Sequence, residues 1–91
     1  MADITITQAH AMDTGAARAA AQKVADEMVE KYDMEVSWLG EVLHFQRSGA
    51  SGTLTLLEHR AVLEVTLGFL LKSFAPMIEE KVTRNMQKVF A

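Results

Sequence analysis

The chain of 91 residues contains no cysteine. Disulfides, thiolate nucleophiles and cysteine-based zinc sites are therefore excluded. It also lacks any long apolar run: the longest is Leu67 to Leu71, LGFLL, far short of the roughly 20 residues that a membrane-crossing helix needs. Strong charge of either sign is missing too. A net charge of −3 gives no general electrostatic reason to expect nucleic acid or an anionic membrane as partner. The opening MADITITQAH has no basic stretch followed by an apolar core, so it does not read as a secretory signal, and a cytoplasmic location is the expectation.

What is present is an ordinary globular balance, 49% apolar and 23% charged. A chain of this size is one domain and hides only about 60–65% of the surface it would expose unfolded. No linker, repeat or low-complexity segment divides residues 1–91.

Periodicity supplies the fold. Asp3 to Thr7 alternates polar and β-branched residues, placing Ile4 and Ile6 on one face of a strand. From Asp13 or Thr14, either able to cap a helix, apolar residues recur at Ala17, Ala20, Ala21, Val24, Met28 and Tyr32. Period two then returns, with Met34, Val36 and Trp38, then Leu43 and Phe45, Leu54 and Leu56, and Leu63, Val65 and Leu67 pointing inward. A last helix begins near Ser73 as cap, with Pro76 in its first turn, Glu79 and Glu80 near its positive end and Lys88 near its negative end. Its apolar stripe is Phe74, Ile78, Val82, Met86, Val89 and Phe90. The expected class is α+β: one antiparallel sheet of four to five strands with both helices on one face, in the order β-α-β-β-β-β-α.

The other sheet face carries Val42, His44, Gln46, Thr53, Thr55, Leu57, Val62, Glu64 and Thr66. Two readings fit it: a solvated face, which antiparallel sheets tolerate, or a homodimer patch marked by Val42, Leu57 and Val62. The last helix pairs its apolar stripe with Lys81, Arg84 and Lys88. That combination suits either docking on the core or lying on a lipid or polymer surface.

The segment Arg47 to Gly52, RSGASG, has the composition of a phosphate cradle but fits none. Five residues after Gly49 stands Leu54 rather than the second glycine of a Walker loop, GxGxxG is missing, and a strand follows where a helix is required. The GXXG of RNA-clamping KH domains is spelled by Gly49 to Gly52, yet that loop joins helices in a basic setting. A four-residue hairpin loop is the plainer reading. His10, His44 and His59 have no metal-ligand spacing, and Glu64 shares a face with His44 without forming a pocket. Ser48 and Ser51 lie outside any GxSxG elbow. No catalytic constellation, cofactor or metal is expected. The six methionines suit either core filling or an adaptable contact surface.

Certain pieces, in order, carry a family likeness: ADITIT, Lys31-Tyr32-Asp33, Trp38 with Gly40, His44-Phe45 with Arg47, Gly49, Ser51-Gly52-Thr53-Leu54, LGFLL, and Ile78-Glu79-Glu80. Together they make the chain resemble the polyhydroxyalkanoic acid system family, small bacterial proteins associated with polyhydroxyalkanoate granule gene regions. The resemblance spans nearly the whole length. It implies a cytoplasmic protein of storage-polyester metabolism, at or near the granule, and defines no reaction or catalytic residues. Phasins, the helical granule coats, differ in composition because much of this chain is strand. The expectation is a non-enzymatic accessory protein acting through granule or protein contacts at Val42, His44, Leu57, Val62, Lys81, Arg84 and Lys88. The alternative is a helix-grip domain holding an acyl or hydroxyacyl ligand between its helices and sheet.

Overall fold

The alternating and helical stretches assemble as their patterns require. A computed structural model describes residues 3–90. The elements are β1 (Ile4–Ala9), α1 (Thr14–Tyr32), β2 (Glu35–Leu39), β3 (Val42–Arg47), β4 (Ala50–Leu56), β5 (Arg60–Leu67), a 3₁₀ helix (Phe69–Phe74) and α2 (Ala75–Phe90). The five strands form one antiparallel sheet in the order β1-β5-β4-β3-β2.

One face of the sheet is covered by both helices. Ile4, Ile6, Leu43, Phe45, Leu54, Leu56, Leu63, Val65 and Leu67 bury themselves against Ala17, Ala20, Ala21, Val24, Ala25 and Met28 of α1 and Val82, Met86 and Phe90 of α2. The alanines leave α1 slim, and a slim helix can lie close to the sheet it crosses. Asp13 is the cap of α1, its carboxylate accepting from the Ala16 amide at 2.7 Å. Asp33 ends the helix in the left-handed conformation at φ 56°, which aspartate tolerates better than most residues.

The start of the last helix departs from expectation. Ser73 is not its cap, because residues 69–74 already wind as a 3₁₀ helix that runs directly into α2. Leu71 and Lys72 both donate their amides to the Gly68 carbonyl, at 3.0 and 3.2 Å, so the winding begins five residues earlier. Glu79 and Glu80 therefore fall beyond the first turn of α2, while Lys88 does lie in the last turn.

RSGASG is also tighter than a four-residue loop. Arg47 pairs with Ala50, which leaves Ser48 and Gly49 as a two-residue connection with Gly49 at φ 87°. Gly52 already belongs to β4, directly opposite Phe45.

Candidate functional site

A sheet with two helices closes only one apolar layer, so large apolar side chains left outside it stand out. Phe69 is 90% exposed and Leu70 82%, and Phe74 and Met77 are about half exposed. Phe69 and Leu70 open the 3₁₀ helix, Phe74 closes it, and Met77 lies in the first turn of α2. In a 3₁₀ helix residues three apart eclipse one another, so Leu71 and Phe74 share a face while Phe69 and Leu70 take the other two. Leu71 packs against the core, and its neighbours are thereby turned outward.

Backbone contacts hold this tip in place. Gly68 donates its amide to the Gly49 carbonyl at 2.6 Å, tying the tip to the β3–β4 turn. A Cβ on Gly68 would stand 3.1 Å from the Gly49 oxygen, so the close approach depends on glycine. On the other side, Asp3 accepts from the Leu67 amide at 2.7 Å, and its second oxygen lies 3.8 Å from the Lys72 ammonium.

The cations of α2 continue the same surface. Met77, Lys81, Arg84 and Lys88 follow each other by four, three and four residues, one stripe along the helix. Lys81, Arg84 and Lys88 border a groove between α2 and α1, facing Glu27, Lys31 and Tyr32. Arg84 pairs with Glu80 on its own helix. Lys31 bonds Glu27 at 2.7 Å, and that carboxylate raises the lysine pKa above its ordinary value. Neither Lys81 nor Lys88 is in a salt bridge among the described residues. Phe74 lies at the apolar end of this stripe, half exposed, where the sequence pattern assigned it to the core.

The remaining expected contact residues lie elsewhere, on the open sheet face. Val62 and Val42 flank Thr55 in one cross-strand row that runs Thr7, Val62, Thr55, Val42, Leu39. The next row runs Thr5, Glu64, Thr53, His44, Ser37. His44 and Glu64 are thus two strand spacings apart, roughly 10 Å, too far to pass a proton directly. Leu57 falls just beyond β4 and is 40% exposed.

The other histidines do not join them. His10 is buried, stacks on Phe90 with ring centroids 5.6 Å apart, and accepts from the Met12 amide on Nδ1 at 3.2 Å. His59 lies beside Glu58 at 3.7 Å, both exposed. Among the described residues no group of three His, Asp or Glu side chains gathers as a metal site. At the RSGASG turn the Gly49 carbonyl is committed to Gly68, and the carboxylates of Asp33 and Glu35 border the same concavity, a poor setting for phosphate.

Between the helices and the sheet lies an apolar pocket of about 110 Å³, lined by Met28, Met34, Phe45, Leu71, Ile78 and Val82 among others. Ligand pockets usually span about 300–1,000 Å³. The filled core therefore lends no support to the helix-grip alternative.

The sequence pattern marks LGFLL as a short apolar run and a family piece and does not single out Phe69 and Leu70 as surface residues. The available signal was three consecutive large apolar residues in a helical segment, which cannot all reach one core.

Residues 4–90 match the family described as polyhydroxyalkanoic acid system proteins, and the chain belongs to that family. No curated protein and no solved structure matches it. No helix among the described residues is long and apolar enough to cross a membrane.

Proposed function

We propose that this protein is a non-enzymatic accessory factor of the polyhydroxyalkanoate system that docks on the storage-polyester granule in the cytoplasm. The observation that carries the reading is the near-complete exposure of Phe69 and Leu70 on a braced tip. Transferring two such side chains from water to an apolar phase is worth about 3–6 kcal/mol before the cost of association. Phe74 and Met77 extend the contact. That magnitude suits reversible binding to a surface.

The neighbouring stripe matches polyester chemistry. An ester offers hydrogen-bond acceptors and no donors, while Lys81, Arg84 and Lys88 offer donors and no acceptors. Apolar side chains would enter the polymer surface, and the cations would meet carbonyl oxygens or terminal carboxylates exposed on it. The expected contact surface thus divides in two: Lys81, Arg84 and Lys88 join the docking stripe, whereas Val42, His44, Leu57 and Val62 face another way.

Sedimentation with isolated polyhydroxyalkanoate granules tests this. The wild-type protein should pellet with granules, and a Phe69→Ser, Leu70→Ser double variant should remain in the supernatant with its thermal stability intact. A wild-type protein that stays in solution, or a double variant that pellets equally well, overturns the reading.

A further inference from the structure

We propose that two copies of this chain pair through the open sheet face, about a twofold axis running along β4. β4 is the central strand of the five, and Thr53 is the central residue of its row. Glu64 stands one strand to one side of Thr53 and His44 one strand to the other. Rotation about β4 exchanges the two sides, so each Glu64 carboxylate comes to face the His44 imidazole of the second copy. The same rotation sets Val62 over Val42 and Thr55 over Thr55 in the neighbouring row. A twofold across the strands through this same row would instead oppose Glu64 to Glu64, and like charges select against that axis.

Size limits the strength of this contact. With strands about 4.8 Å apart and outward residues about 6.8 Å apart, five strands and three rows cover roughly 24 by 20 Å. Two copies then bury about 1,000 Å², the lower bound for a specific interface, so the pairing is a weak, concentration-dependent dimer. Face-to-face sheets pack with strands near −30° to each other, which places the axis within about 15° of β4.

The axis has a consequence for the docking surface, and this part rests on the granule reading above. Rotation about the strand direction keeps both β3–β4 turns at one end of the dimer. Each turn is bonded to its own Gly68, so both Phe69–Leu70 tips emerge at that end and can engage one surface together, with a gain in avidity.

Sedimentation velocity in the absence of granules tests the pairing separately from the docking. The wild-type protein should pass from monomer to dimer with rising concentration. His44→Glu and Glu64→His alone should each weaken the dimer by about tenfold or more, and the two together should restore it. Cross-linking gives a second readout, because the chain has no cysteine of its own. A short bis-maleimide should link two copies of Thr53→Cys, on the axis, and should not link Ser37→Cys, on the edge strand. A monomer at every concentration up to about 1 mM, a dimer indifferent to both single changes, or efficient linkage of Ser37→Cys without Thr53→Cys overturns the proposal.

Discussion

The ring of Phe45 lies directly over Gly52, its partner on the neighbouring strand. A Cβ built on Gly52 would come within 2.7 Å of Phe45 Cε2 and would collide with the backbone carbonyl of Glu64. A glycine in a strand interior usually weakens the strand, yet here it gives an aromatic ring room to enter the core. The backbone oxygen cannot step aside as a flexible side chain could.

Gly52→Ala should therefore destabilise the protein by about 2–3 kcal/mol, the range of an overpacked core. For a domain of this length that corresponds to a fall in Tm of roughly 10 °C or more. Gly40→Ala serves as the control. Its Cβ would meet nothing within 4 Å, so only the positive φ of 62° opposes it, at about 1 kcal/mol. Equal midpoints for the two variants in urea would contradict the steric account.

Gly49→Val should cost about 2 kcal/mol or more, since a β-branched residue is forced to φ 87°, while its Cβ would only touch Leu71 Cδ1 at 3.4 Å. Gly68→Ala strikes the same turn from the other side. Because both changes disturb one backbone contact, their effects in thermal melts should fall short of the sum.

Arg18 stacks over Trp38 at 4.1 Å from the ring centre and donates to the Gly40 carbonyl at 3.0 Å, fastening α1 to the edge strand. The Trp38 indole donates to Gln22 on the same helix at 2.8 Å. Arg18→Ala should cost about 1 kcal/mol and shift the emission of this single tryptophan to the red. Unaltered emission would place the guanidinium away from the ring.

Lys31 carries a pH signature that its surroundings define. Glu27, by hydrogen bond and then by charge, raises its pKa above 10.5 in the folded protein. A raised lysine pKa means stabilisation that is complete below the unfolded value and is lost as pH climbs through the folded one. Glu27→Gln should lower the Lys31 titration midpoint, followed by NMR at Cε, and should leave stability at neutral pH nearly unchanged because Lys31 is largely exposed and solvent screens the pair.

Much of the fold was legible because the core is patterned. Ile4 and Ile6, Leu43 and Phe45, Leu54 and Leu56, and Leu63, Val65 and Leu67 alternate in sequence and are all buried. The α1 stripe from Ala17 to Met28 is likewise buried as its spacing requires. The end of the sheet was harder to read. Ser73 has the side chain of a helix cap, with Pro76 tolerated in the turn that follows, but the winding starts at the Gly68 carbonyl. Phe74 fits the period of α2 yet belongs to the 3₁₀ helix before it and stays half exposed.

The sequence by itself determined which residues share a strand face or a helix stripe, because those periods are properties of the local backbone. Only the tertiary structure decided how the strands register, and so that Glu64 and His44 flank Thr53 rather than touch. It also decided that Phe69 and Leu70 face outward, since that orientation depends on Gly68 meeting Gly49 from a distant strand turn and on Leu71 packing against the core. Such choices are made by contacts far apart in the chain, and no local pattern records them.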